Sequence, residues 1–271
     1  MTGAASVDPA AARVALASVV PRLTALIRSI GDPGAHAVGE WNAGDVALHL
    51  AQAWEKLPAL AAGEIESPLG AAAELAALTT TMVRDEPGRD LDAIAGRIEA
   101  AASAYLATPI TDAPSPWLVR GTSLPGSAFS CHLLNESLVH GHDIAHAEGR
   151  AWRIDPAHAG MAIMGFAFRA LTAVDPRFPV DQEQAAGVRA CFDIRVRRTG
   201  RVFLILDDGA MRIEPPSSRR VDCHLSAEPA ALFLLIWSRT SEWPGVLSGR
   251  LALWGRRPWL GARLPQMLRN P

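Results

Sequence analysis

Four histidines, one glutamate and one aspartate lie within the fifteen residues 132–146, which read HLLNESLVHGHDIAH. In an α-helix, with about 100° between successive residues, Glu136 and His140 lie about 40° apart on one face, and Asp143 falls on the same face, about 20° from Glu136. Imidazole and carboxylate groups that share a helix face are typical ligands of a divalent metal ion. The segment therefore predicts a metal-binding helix.

Apolar residues flank this face of the predicted helix, among them Leu133, Val139 and Ile144. A buried glutamate without a partner costs several kcal/mol, and a divalent cation would offset that cost. His142 and His146 fall well round the helix from Glu136. The segment therefore supplies two strong ligands, Glu136 and His140, and a third must come from elsewhere.

His49 is the best candidate for the third ligand. It lies in the segment EWNAGDVALHL, in which Asn42 can cap a helix and Asp45 can complete a capping box three residues later. Val46 and Ala53 would share the face of His49, which directs its imidazole into the core of a helical bundle. Two histidines and a glutamate with a fourth position open are typical of a catalytic zinc site.

Two simpler interpretations of these residues stay open on spacing alone. A single histidine on an apolar helix face, such as His49, is usually a hydrogen-bonded core residue. Glu136 and His140 could form only an intrahelical pair on a partly exposed face.

The elements that must position these side chains are helices. Four are predicted from apolar periodicity and from Pro and Gly punctuation: 8–31 with a kink at Pro21, 43–62 ending at Gly63, 91–107, and the helix that carries 132–146. The long connection 108–125 is of the kind that often lines a site. A four-helix bundle with polar ligands from two helices is a common setting for a metal centre.

The second half of the chain has a different pattern. A helix is predicted over 156–174, and beyond residue 186 a period-two alternation predicts a hairpin around Thr199-Gly200. Further strands and helices are predicted at 221–225, 228–238, 249–254 and 258–268. The fold class is multi-domain α and α+β, with a bundle over 1–152, a connecting helix and linker over 153–185, and a small α+β domain over 186–271.

The order of motifs resembles the mycothiol-dependent maleylpyruvate isomerase family, a branch of the DinB-like metal-binding bundles. The residues that carry the resemblance are Trp-x-x-x-Asp-Val-x-x-His-Leu at 41–50 and Glu-x-x-x-His-Gly-x-Asp-Ile-Ala-x-Ala-x-Gly at 136–149. In that family the histidine of the first motif and the glutamate and histidine of the second bind zinc. The resemblance thus implies that His49, Glu136 and His140 are zinc ligands, and Asp143 could orient one of them.

The last third resembles an SCP2-like sterol-carrier domain, through 221–239 and the Gly-Arg-Leu-Ala-Leu-x-Gly that ends at Gly255. It departs from sterol carriers where Arg256, in place of aspartate, follows that glycine. Arg239 matches the arginine that the isomerase branch is expected to turn toward the metal cleft to bind an anionic substrate. The alternative is an arginine that complements the dipole at a helix C-terminus.

The resemblance also implies a reaction. Zinc would lower the pKa of a bound thiol, mycothiol, whose thiolate adds to the cis double bond of maleylpyruvate; rotation and elimination then give fumarylpyruvate. A mycothiol S-transferase, acting in detoxification or natural-product biosynthesis, would need the same site. A third possibility is an apolar-ligand binding protein with a vestigial metal site.

Composition narrows the class of protein. The chain has 271 residues, 49% hydrophobic and 20% charged, with a net charge of −2. We expect no nucleic-acid partner, because phosphate binding needs a concentrated basic patch. We also expect no signal peptide and no membrane span, hence a cytoplasmic location. The three cysteines are widely scattered and predict reduced thiols. The expected partners are a low-molecular-weight thiol, of actinobacterial type by the resemblance, and a small electrophile.

Overall fold

A computed structural model of the protein describes residues 7–109 and 112–269. These residues divide into two compact units, one of residues 8–154 and the other of residue 7 together with residues 155–269. The first unit is mainly helical, and the second combines a five-stranded sheet with short helices. The predicted class, a helical bundle followed by an α+β domain, is confirmed.

Four long helices form the bundle of the first unit. The elements of this unit are α1 (Pro9–Arg28), β1 (His36–Val38), β2 (Trp41–Asn42), α2 (Ala43–Ala61), α3 (Leu75–Asp85), α4 (Leu91–Ala107), β3 (Pro114–Pro116), β4 (Ser123–Pro125) and α5 (Gly126–Ala147). Helices α1 and α2 each pack against both α4 and α5, so the four surround a common core. Pro21 lies inside α1, and the helix continues beyond it to Arg28.

Among the described residues, helix α1 is long and apolar enough to cross a membrane. A membrane-spanning role for this helix is supported by its length and composition alone. Half of its most apolar stretch is buried within the protein. Leu16, Leu23 and Ile27 are fully buried. Arg28 forms two hydrogen bonds, of 2.6 and 2.8 Å, to the carboxylate of Glu99 on α4. A core helix of a bundle meets the same two criteria.

The predicted capping box at the start of α2 is present. The Asn42 side chain accepts a hydrogen bond of 2.8 Å from the backbone N–H of Asp45, and the Asp45 carboxylate accepts one of 3.1 Å from the backbone N–H of Asn42. Asp45 also pairs with Arg89 at 2.8 Å. These contacts fix the first turn of the helix that carries His49.

We expect Asn42→Ala to lower the free energy of unfolding by about 0.5–2 kcal/mol, since it leaves the first N–H groups of α2 without an acceptor. Urea unfolding followed by far-ultraviolet circular dichroism measures this change. Asn42→Ser, which keeps a capping oxygen, should stay within a few tenths of a kcal/mol of the original chain. Equal loss in both variants would contradict a capping role.

Helix α5 ends in a Schellman motif. Gly149 has a φ of +63°, its N–H donates to the carbonyl of His146 at 3.0 Å, and the N–H of Arg150 donates to the carbonyl of Ala145 at 2.7 Å. A left-handed residue after the last turn favours glycine. The end of the helix is thus fixed one turn beyond Asp143.

The second unit is built on a mixed sheet with strand order β7-β6-β5-β8-β9. Its elements are α6 (Pro156–Met161), a π-helical segment (Ala162–Ala167), α7 (Phe168–Ala173), β5 (Arg189–Val196), β6 (Gly200–Asp207), β7 (Ala210–Glu214), β8 (Cys223–Ala227), α8 (Pro229–Ile236), α9 (Glu242–Leu247), β9 (Leu251–Trp254) and α10 (Trp259–Met267). Strands β5 and β8 are parallel, and the other neighbours are antiparallel. The predicted hairpin is β5–β6.

A buried aspartate lies at the centre of this sheet. Asp193 on β5 is fully buried and accepts hydrogen bonds from His224 Nδ1 at 2.6 Å, Arg195 Nε at 2.9 Å and Arg201 Nη2 at 3.1 Å. The ring of His224 stacks on Trp254 with centroids 5.3 Å apart. Burial alone would raise the pKa of Asp193, but the hydrogen bonds from these three donors hold it below its usual range.

Candidate metal centre

The structure brings the three predicted ligands together. His49 comes from α2, and Glu136 and His140 come from one face of α5. One candidate ligand atom from each lies within 4.8 Å of the other two. Nε2 of His49 and Nε2 of His140 each lie 3.4 Å from the same carboxylate oxygen, Glu136 Oε2. The two imidazole rings are 4.9 Å apart and nearly perpendicular.

This group is almost closed to solvent. The side chains of His49, Glu136 and His140 are 11%, 14% and 13% exposed. Buried apolar residues flank it along both helices, including Leu48 and Leu133. A carboxylate in such surroundings needs strong partners, because its desolvation is costly.

The donor set and its spacing fit a divalent metal ion. Ligands at about 2.0–2.1 Å from a tetrahedral zinc ion lie about 3.3–3.4 Å apart. Both nitrogen–oxygen separations about Glu136 Oε2 are 3.4 Å. Two nitrogens and one oxygen from the protein leave one tetrahedral position open, as in catalytic zinc sites.

The charges of the three residues are strongly coupled. Burial would raise the pKa of Glu136, but hydrogen bonds from His132, His140 and His49 hold it well below its usual range. Burial lowers the pKa of His49. Burial also opposes charge on His140, yet its contacts with Asp143 and Glu136 raise the pKa of that imidazole to about 9. In the absence of metal, a proton on His140 therefore offsets part of the negative charge of Glu136 and Asp143, and metal binding would displace it.

Asp143 orients His140, as the sequence suggested. The Asp143 carboxylate is buried and lies 3.0 Å from His140 Nδ1. With Nδ1 donating to Asp143, the atom of His140 that would bind a metal is Nε2, which faces Glu136 Oε2.

Two residues near the group were not identified from the sequence. Trp41, at the end of the β1–β2 ribbon, has its ring 4.9 Å from that of His49 and 6.4 Å from that of His140. His132 Nε2 lies 3.4 Å from Oε1, the second oxygen of Glu136. The signal for His132 was its position four residues, or one helical turn, before Glu136.

The remaining histidines of 132–146 lie apart from the ligand group. The rings of His142 and His146 stack on each other, with centroids 6.1 Å apart and an interplanar angle of 10°, and His146 is exposed.

Arg239 belongs to the second unit and follows α8. Its N–H donates to the carbonyl of Leu234 at 2.8 Å, and its Nη1 donates to the carbonyl of Trp237 at 2.6 Å. These contacts close the C-terminal end of α8, as the alternative interpretation of this residue expects. Its role toward a substrate stays a prediction.

A glycine beside His140 allows close packing against α5. A Cβ atom at Gly141 would lie 2.6 Å from a ring carbon of Trp152. The Arg22 guanidinium lies 4.6 Å from the centre of the same ring. The ring thus lies directly on the backbone of the ligand-bearing helix. Gly96 on α4 is a natural control, because a Cβ there would meet no atom within 4 Å.

We expect Gly141→Ala to destabilise the protein by about 1–3 kcal/mol through overpacking, despite the higher helix propensity of alanine. Gly96→Ala should instead stabilise it, by up to about 1 kcal/mol. Thermal unfolding of both variants measures the two changes. Similar stabilisation in both would show that the Trp152 ring moves aside at little cost.

The fold of this chain is similar to that of known protein structures. No protein-family model matches the chain, and no curated protein does. A crystal structure of mycothiol-dependent maleylpyruvate isomerase matches with a TM-score of 0.52 and 13% identity, covering 87% of this chain and 91% of that chain. A single-residue variant of that enzyme matches with a TM-score of 0.54 and 12% identity, over the same shares.

Another match covers a smaller part of the chain. The ubiquinone synthesis protein UbiJ-SCP2 covers 31% of this chain and 76% of its own, at 16% identity and a TM-score of 0.25, too low to support a common fold. The SCP2-like character of the second unit therefore stays a prediction. Along 87% of its length, the chain has the fold of mycothiol-dependent maleylpyruvate isomerase.

Proposed function

We propose that this protein is a zinc- and mycothiol-dependent enzyme of the maleylpyruvate isomerase type, acting in the cytoplasm on a small electrophilic substrate. The observation that carries the proposal is the convergence of His49, Glu136 and His140 from two helices within 4.8 Å. The similarity of fold to an enzyme named for mycothiol and maleylpyruvate supports it.

His49, Glu136 and His140 would hold the ion. A bound zinc would stabilise the anion of a thiol at the open position and so supply a nucleophile at neutral pH. Glu136 contributes one negative charge and the two imidazoles none, so a dication in this group keeps a net charge of about +1. That charge favours an anionic fourth ligand, such as a thiolate.

The other residues of the site have positioning roles in this proposal. Asp143 fixes the ring of His140, and Trp41 covers the two imidazoles on one side, which limits the access of water. We assign to Arg239 the binding of a substrate carboxylate, because a guanidinium forms paired hydrogen bonds with carboxylates.

The test begins with metal. The protein is purified without a metal-affinity tag, and its metal content is measured by mass spectrometry. Maleylpyruvate and mycothiol are then added, and the products are followed by chromatography and NMR. We expect stoichiometric metal and fumarylpyruvate formed only when both thiol and metal are present.

The controls separate the alternatives. A chelator-treated sample and a thiol-free reaction should both be inactive. A stable thioether conjugate in place of the isomer would overturn the isomerase assignment in favour of an S-transferase. A protein that binds no metal and shows no thiol-dependent turnover would overturn the whole proposal and favour an apolar-ligand binding protein.

A further inference from the structure

The two oxygens of Glu136 face different partners. Oε2 lies 3.4 Å from the Nε2 atoms of both His49 and His140. Oε1 faces away from that pair, toward His132 Nε2 at 3.4 Å and the Asn135 side-chain amide at 3.4 Å. His132 is buried, and its ring packs edge-on against Trp117, with centroids 6.2 Å apart.

We infer that His132 is a positioning residue, which donates a hydrogen bond from Nε2 to Glu136 Oε1 and thereby presents only Oε2 to the metal. This inference rests on the proposed metal site. It gives His132 a function different from that of the ligands His49 and His140.

Chemistry and geometry both place His132 outside the ligand group. The Nε2 atoms of His49 and His140 both face Oε2, whereas that of His132 faces Oε1, which can accept its hydrogen bond while Oε2 binds the ion. His132 is also not among the residues whose candidate ligand atoms lie within 4.8 Å of one another. Within the described part of the chain, the fourth tetrahedral position is therefore left for a ligand from outside the protein.

Helical spacing explains how His132 reaches its partner. It lies one turn before Glu136 on α5, and His140 lies one turn after, so the glutamate is held from both sides along the same helix. The rigid helix and the packing of Trp117 limit the motion of the His132 ring. Partners of this kind commonly change metal affinity by about 10–100-fold.

The experiment compares three substitutions at one position. His132→Leu removes the donor, His132→Gln keeps an N–H donor the same number of bonds from the backbone, and His132→Asn keeps a donor one bond shorter. The dissociation constant for zinc is measured by competition with a chromophoric chelator, and the cobalt-substituted proteins are compared by visible absorption. We expect His132→Leu to bind zinc about 10–100-fold more weakly. His132→Gln should recover most of that loss, and His132→Asn should recover little.

The cobalt spectrum distinguishes a positioning residue from a ligand. If His132 acts only through Glu136, the spectrum of His132→Gln keeps the band positions and intensity of the original protein. A spectrum with one nitrogen ligand fewer would make His132 a ligand and overturn the inference. Unchanged zinc affinity in all three variants would overturn it as well.

A matched control excludes a general effect of buried polar groups. Ser130, also on α5, is buried and pairs with the Tyr105 hydroxyl at 2.9 Å. Ser130→Ala should lower thermal stability without changing the zinc dissociation constant. If His132→Leu does not fold, the Gln and Asn variants still decide, because both keep a polar side chain. An original protein that binds no metal would instead refute the proposed function itself.

Discussion

The Glu136→Gln variant is expected to lose its bound metal while it keeps the helical fold. The substitution preserves the shape of the side chain but removes the one anion of the ligand group, so its effect should exceed the about 10–100-fold typical of residues around a metal centre. Metal content by mass spectrometry and the zinc dissociation constant measure the change. His49→Ala and His140→Ala should give the same result, since each removes one of three ligands.

The matched control is another glutamate at the end of the same helix. Glu148 accepts a hydrogen bond of 2.8 Å from the backbone N–H of Gly31 and lies outside the ligand group. Glu148→Gln should keep its full metal content. Stoichiometric zinc in Glu136→Gln, or loss of zinc in Glu148→Gln, would contradict the ligand assignment.

Asp193→Ala is expected to lower the free energy of unfolding of the second unit by about 3 kcal/mol. Removing one member of a buried charged group leaves its partners without compensation and costs about 3–5 kcal/mol. The lower end applies here because Arg195 and Arg201 are each 44% exposed and can recover some hydration. Urea unfolding, followed by far-ultraviolet circular dichroism, measures the loss.

The same aspartate predicts a pH dependence. Its pKa in the folded protein lies below the unfolded value of about 3.9, so its stabilising contribution is complete above about pH 4 and is lost as the pH falls through the folded pKa. The stability of the original protein should fall more steeply on acidification than that of Asp193→Asn. Asp207→Asn, at an exposed pair with Arg189, should change stability by less than about 1 kcal/mol. Parallel acid profiles for the original protein and Asp193→Asn would refute the prediction.

The ligand group could be predicted because local rules specify each of its parts. Glu136 and His140 are one helical turn apart, and the capping box at Asn42 places His49 on the buried side of α2. His132 obeys the same one-turn rule on the other side of Glu136, but the sequence does not show which oxygen of the glutamate it faces. Trp41 lies in a two-residue strand, which is too short to show a period.

Several elements left no readable signal in the sequence. Helix α3 contains three consecutive threonines, which are poor helix formers, and only Val83 of this helix is buried. The predicted continuous helix over 156–174 is interrupted by the π-helical segment. The sequence does not show this interruption, because an inserted residue that widens one turn does not change the apolar pattern. Strand β7 and helix α9 are short and depend on their neighbours in the second unit. Arg239 shows the same limit, because a helix-terminal arginine and a substrate-binding arginine have the same local sequence.

His49 and Glu136 are separated by 87 positions along the chain. An ion held by both would close a loop of that length and act as a removable crosslink between α2 and α5. A ligand that binds only the folded state at 100 times its dissociation constant adds about 2.7 kcal/mol to the free energy of unfolding. The lifetime of this bundle in a cell would then depend on the concentration of free zinc. Zinc depletion would expose the protein to proteases and would also remove its activity.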